Sequence, residues 1–179
     1  KTVKNLYAKV RQRYMELGGE IASRFVQQLA QSRFDLPDYP RQTEIISGYV
    51  APAMEQGKVA YILVDAFRYE MAQELLQVLP ENSVATLDAA RATAPTITEV
   101  GMAALMVKSD VQPALISIGG GKLAIEVGGK VLKDRSSRLD YLKEHIDSEV
   151  LSLKLSDLLH PSKSVTDGIR NADLVLVTS

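Results

Sequence analysis

Two side chains in this sequence have the type and the placement to do chemistry together. Asp65 follows directly on the apolar run KVAYILV of residues 58–64, and Thr98 opens the segment TEVGMAALM of residues 98–106. In an open α/β sheet, ligands gather at the carboxyl ends of the strands. A carboxylate there, with apolar walls behind it, is costly unless it is paired or metal-bound. Asp65 therefore reads in one of two ways: as a ligand for a divalent cation, or as the N-cap of the helix that follows. Thr98 falls in the first turn of an apolar helical pattern. A hydroxyl there stands among unpaired backbone N–H groups at the positive end of the helix, where a phosphoryl group binds. Beside a metal ion such a hydroxyl is an activated nucleophile. Thr96 and Glu99 have capping-box spacing, which predicts that Thr96 caps this helix.

The other candidates carry less. Arg68, three residues after Asp65, is a substrate-binding candidate for a phosphate, and its competing role is a surface pair with Glu70. Arg135 and Arg138 flank a helix start and are weaker phosphate candidates. GGGK, residues 119–122, lacks both the first glycine and the hydroxyl of a phosphate loop. His145 and His160 lie in helical or turn contexts and read as structural.

These residues need elements to position them. KVAYILV is short, continuous and β-branched, the mark of a strand covered on both faces. RYEMAQELLQVL puts Met71, Leu75, Leu76 and Leu79 on one helical stripe. SVATLDA (residues 83–89) reads as a second strand, PALISI as a third and LVLVT as the last, after a helix near residues 136–146. Strands alternating with helices imply a parallel sheet with helices on both faces. LAIEVGGKVLKD breaks that rhythm and reads as a hairpin turning on Gly128-Gly129. Upstream, Val3, Leu6, Val10, Tyr14, Leu17, Ile21, Phe25 and Leu29 recur at spacings of three and four, an apolar helical stripe. Gly18-Gly19 interrupts it and is expected to weaken or kink it. FDLPDYP (residues 34–40) is a connector, and a second helix is expected over residues 42–55.

Composition sets the bounds. The 179 residues suffice for one domain, or one domain with an appendage. With no cysteine, disulfides and thiolate metal sites are excluded. No apolar run approaches the ~20 residues that span a bilayer, and no signal peptide is visible. A cytoplasmic protein without a membrane partner is expected. The net charge of −1 argues against a globally basic nucleic-acid binder. Residues 1–33, however, hold seven Lys or Arg against two Glu, a balance of +5. A solvated helix face accounts for this more simply than phosphate contact. The start at Lys1 and the stop after a strand-like run suggest a piece of a longer protein. A truncated sheet leaves apolar surface that favours self-association.

YILVDAFRYEMA followed by APTITEVGMAALM resembles the PglZ domain of the alkaline phosphatase-like superfamily, found in BREX phage-defence systems. The hairpin LAIEVGGKVL before DRSSRLDYLK, and the late strand in ADLVLVTS, keep the same order. The resemblance covers about residues 40–179. It implies a three-layer α/β/α sandwich with a mostly parallel sheet, here incomplete at its C-terminus. Residues 41–179 would be the N-terminal part of that domain, and residues 1–40 a helical appendage or linker. It further implies a metal-dependent phosphoester hydrolase, with nucleic acid a candidate substrate and other defence-system proteins as partners. Asp65 takes the metal-ligand role, and Thr98 the roles of nucleophile and bridging metal ligand, for a divalent ion such as zinc or manganese. The superfamily's Asp-His-Gly motif is missing. The remaining ligands are therefore expected beyond Ser179, and the segment by itself is expected to be inactive and metal-free. The alternative is a non-catalytic interaction module on a degenerate hydrolase fold.

Overall fold

A computed structural model describes residues 2–33, 36–108 and 112–179. The contact pattern divides the chain into Lys1–Asp38 and Tyr39–Ser179. In the first unit, α1 runs over Thr2–Gln31 and continues through Gly18-Gly19. The first two residues of the FDLPDYP connector lie outside the described residues.

The second unit is mixed α/β. It opens with a 3-10 turn at Gln42–Glu44, a π-helical turn at Ile46–Val50 and α2 at Ala51–Gln56, where one regular helix was expected. The remaining elements are β1 (Val59–Leu63), α3 (Tyr69–Val78), α4 (Thr98–Ala104), β2 (Ala114–Ser117), β3 (Leu123–Val127), β4 (Lys130–Leu132), α5 (Arg135–His145), β5 (Val150–Lys154), α6 (Leu155–Leu159), α7 (Lys163–Asn171) and β6 (Leu174–Thr178).

Two small sheets result. The first is parallel, in the order β1-β6-β5, with Val59 opposite Leu174 and Val150 opposite Leu174 from the other side. Its central strand β6 alternates between two apolar environments, as a strand must when both faces are covered. Leu174 and Leu176 pack with Ile46, Val50, Leu142 and Ile146. Val175 and Val177 pack with Leu153, Ala172, Val165 and Ile169. Each such leucine, removed from water, contributes about 1.5–3 kcal/mol.

The second sheet is antiparallel, in the order β2-β3-β4. β3 and β4 form the expected hairpin. Gly128 and Gly129 both take left-handed φ values, +56° and +78°, which a tight two-residue hairpin turn requires.

Four expectations need correction. KVAYILV is not covered on both faces: β1 is an edge strand on which Ile62 is exposed, and the strand with both faces covered is the central β6. Residues 83–89 form no strand, and Val84 is fully exposed. A period of two identifies a strand-like segment, but only a neighbour with free backbone groups makes it a strand. PALISI is a strand, yet it pairs antiparallel with β3 rather than joining the parallel sheet. The stripe on α3 is not buried: Met71, Leu75 and Leu79 are exposed, and Leu76 is half-buried. No helix among the described residues is long and apolar enough to cross a membrane.

Candidate functional site

β1 delivers its carboxyl end to a turn at Asp65-Ala66. The end of β6 secures that turn. The Ser179 N–H donates to the Leu63 carbonyl at 3.1 Å, and the Asp65 N–H donates to the Ser179 hydroxyl at 3.0 Å. Ala66 has φ +55°, a left-handed conformation that costs a residue with a Cβ about 1–2 kcal/mol. The strain sits directly after the acid.

The Asp65 side chain does not cap α3, whose N-cap is Arg68. Its Oδ1 accepts the Ala66 N–H at 3.0 Å. Its Oδ2 accepts the Thr98 hydroxyl at 3.0 Å. The two residues singled out from their types alone, 33 positions apart, are hydrogen-bonded to each other.

Thr98 is placed by α4, of which it is the first residue. The N-cap is Ile97, extended at φ −106° and ψ 155°, and no side chain caps the helix. The expected Thr96–Glu99 capping box is therefore absent, because the helix begins one residue later than that box requires. Packing fixes α4 instead. Val100, Ala103 and Val107 are buried against Ile125, Val127 and Leu132 of the hairpin and Tyr141 of α5. At the other end of α4 the Tyr61 hydroxyl donates to the Leu105 carbonyl at 3.0 Å. Burial pushes the Tyr61 phenol well above its usual pKa, so it remains a donor. Contacts to β1 and the turn that follows it thus hold both ends of α4: Asp65 at Thr98, and Tyr61 at Leu105.

Asp65 and Thr98 open on a cavity of about 630 Å³. Thr96, Glu99, Gln42 and Phe67 also line it. Two carboxylates and no Lys or Arg stand among the lining residues, a balance that attracts a cation. The donors are oxygens, which suit a divalent cation. Among the described residues no group of three His, Cys, Asp or Glu comes together to complete a ligand set.

The other candidates are placed differently. Arg68 is exposed, pairs with Glu70 at 3.2 Å and does not line the cavity. Arg135 ties the strand ends together: its Nε donates to the Thr178 hydroxyl at 3.2 Å, and its Nη2 to the Ser152 hydroxyl at 2.8 Å and the Leu153 carbonyl at 3.3 Å. Arg138 is half-buried. Desolvation lowers its pKa, while Asp134 and Glu99 nearby raise it. His145 stacks on Tyr141, its Nδ1 2.8 Å from the Tyr141 carbonyl, and His160 ends α6. Neither histidine lines the cavity. Gln42 was not anticipated. It belongs to the segment read as helix, and nothing in the local sequence marks it.

Comparison with known families gives a match over most of the chain. The model of the BREX system PglZ alkaline phosphatase-like domain matches residues 45–177. No curated protein and no solved structure matches the chain.

Proposed function

This chain belongs to the BREX system PglZ alkaline phosphatase-like domain family, and from that premise we propose that it is the nucleophile-bearing part of a metal-dependent phosphoester hydrolase acting in phage defence. The observation that carries this reading is the 3.0 Å hydrogen bond between Thr98 Oγ1 and Asp65 Oδ2 at the carboxyl end of β1. The coverage of both faces of β6 supports a three-layer α/β/α sandwich for residues 41–179, and the division of the chain after Asp38 supports a helical appendage preceding it.

In this reading Asp65 and Thr98 would hold a divalent cation, zinc or manganese, together with ligands from elsewhere in the protein. A catalytic zinc usually takes about three protein ligands. When bound, the cation supplies charge stabilisation at the phosphoryl oxygens. The chain's own residues do the rest. The Thr98 hydroxyl donates to Asp65, which fixes the rotamer and leaves an Oγ1 lone pair for the substrate beside the one that would face the cation. Attack by Oγ1 forms an O–P bond as the ester P–O bond breaks, and the proton released from the Thr98 hydroxyl ends on the departing oxygen. Water then cleaves the Thr98 O–P bond, returning a proton to Oγ1 and releasing the phosphoryl group as phosphate. The substrate is a phosphoester, with nucleic acid a candidate, and the partners are other defence-system proteins. Arg68 is at most a peripheral contact to the substrate, given its pairing with Glu70.

The second reading is a non-catalytic interaction module on the same fold. One observation favours it: no group of three metal-ligating side chains forms among the described residues. Turnover of bis(p-nitrophenyl) phosphate by the metal-loaded full-length protein separates the two. Thr98→Ala is expected to lower the rate by ~1,000-fold or more, as loss of a nucleophile does. Near-normal turnover by that variant would sink the nucleophile assignment.

A further inference from the structure

Gln42 lies three residues upstream of the family-matched region, yet it lines the same cavity as Asp65 and Thr98. The chain around it is zipped to the segment before α4. The Arg91 N–H donates to the Pro40 carbonyl at 2.7 Å, and the Gln42 N–H donates to the Arg91 carbonyl at 3.1 Å. The Gln42 side chain adds a third link, its Oε1 accepting the Thr93 N–H at 2.8 Å.

That last bond settles the orientation of the amide. A backbone N–H can only donate, so the atom facing it must be the carbonyl oxygen. The two N–H donors of Nε2 are then directed elsewhere. Among the described residues they have no hydrogen-bond partner, and Gln42 is only half-buried. The cavity lining contains no Lys or Arg to meet an anionic oxygen. Oriented, uncommitted donors on a fixed segment are what a site needs to hold a group that approaches a bound cation.

We infer that Gln42 is a substrate-binding residue, donating from its side-chain amide to a phosphoryl oxygen of the phosphoester. The inference rests on the hydrolase reading above for the class of ligand. It makes the 40–42 segment part of the site, not a lead-in to the domain.

Two substitutions separate binding from a merely structural role. Gln42→Glu keeps an oxygen to accept the Thr93 N–H, but loses the donors and gains a charge. Gln42→Met loses both. The measurement is equilibrium dialysis of inorganic phosphate against the metal-loaded full-length protein, with melting temperature and metal affinity recorded alongside. Gln42→Glu is expected to raise the phosphate Kd at least tenfold, about 1.4 kcal/mol, and by more than Gln42→Met. Its melting temperature should match the parent, and its metal affinity should be no weaker, since the added carboxylate lines a cavity that attracts cations. Because the new charge by itself repels phosphate, the variants are compared with the parent at about 0.5 M inert salt, where that repulsion is screened. There a purely structural Gln42 gives the reverse order, with Gln42→Met the weaker binder and Gln42→Glu close to the parent. That order, a parental phosphate Kd in Gln42→Glu, or no phosphate binding by the parent overturns the inference. Binding at equilibrium is read apart from turnover. An active Thr98→Ala would therefore remove the nucleophile while leaving this result standing.

Discussion

Thr96 and Thr98 are two residues apart, and the structure gives them different work. Thr98 Oγ1 is bonded to Asp65, whereas Thr96 lines the cavity and caps nothing. Both are exposed, so truncating either should change stability by no more than about 0.5 kcal/mol. Thr96→Ala is accordingly expected to melt like the parent and to keep most of its hydrolysis, while Thr98→Ala melts like the parent and loses it. Paired melting curves and rates check this. A drop of several degrees for Thr96→Ala would restore the capping role that its spacing from Glu99 suggested. At this scale the sequence was informative where residue type alone restricted the role. An acid after an apolar strand and a hydroxyl at a helix start are unusual enough to stand out, although only the fold shows that they touch. Gln42 was illegible because a glutamine in a helix-like segment is ordinary. Its significance comes from Thr93, 51 residues away.

Elements were legible in proportion to how far local pattern determines them. β1 and β6 could both be read as strands from their continuous β-branched runs, but that pattern does not tell the central strand from the edge: β6 is buried throughout, while β1 leaves Ile62 exposed. The hairpin could be read because two glycines supply the backbone its turn demands. β5 escaped notice because Ser152 and Lys154 interrupt its short apolar pattern. The direction in which β2 pairs lies outside any single-strand pattern. The start of α5 allows a test at this scale. Asp134 caps it by accepting the Ser137 N–H at 2.8 Å, and the Ser137 hydroxyl bonds the Asp134 backbone in return. The Ser137 N–H, with its hydroxyl second, holds the Asp134 carboxyl below its usual pKa. A carboxylate with a depressed folded pKa contributes stability above its unfolded pKa, about 3.9. That contribution is lost as pH falls through the lower folded value. Asp134→Ala should therefore unfold at lower urea concentration than the parent at pH 5–7, and the gap should narrow as pH drops below about 4. A gap independent of pH would mean that the charge on Asp134 contributes nothing to the cap.

For the whole molecule, the question is which surfaces are finished. All three core clusters draw only on residues 45–177, the span that matches the family. A protein beginning at Tyr39 keeps every one of those residues, and also the bonds from Pro40 and Gln42 to the 91–93 segment. It should melt within about 2 °C of the full chain, since a 1 kcal/mol loss in a domain this size moves the midpoint by roughly 2–8 °C. Two apolar surfaces are candidates for association. One is the α1 stripe Val3, Leu6, Val10, Tyr14, Leu17, Ile21 and Phe25, all exposed. Its steps of three, four and four repeat every 11 residues, or 3.67 per turn, so the stripe stays on one face along the helix. The other lies in the 39–179 unit, where Ile62 on β1, an edge strand paired only with β6 among the described strands, Val64 just beyond it, and Leu75 and Val78 on α3 are each exposed. Unpaired edges and apolar patches of this kind recruit partners. Sedimentation of the full chain across micromolar concentrations is expected to show reversible self-association, and the shortened protein then assigns it. Association lost with residues 1–38 places it on α1, where the +5 balance of residues 1–33 opposes self-pairing and salt should strengthen the contact. Association retained places it on β1 and α3, where burial of apolar area dominates and salt matters less. A clean monomer at every concentration would mean that neither surface associates with a second copy.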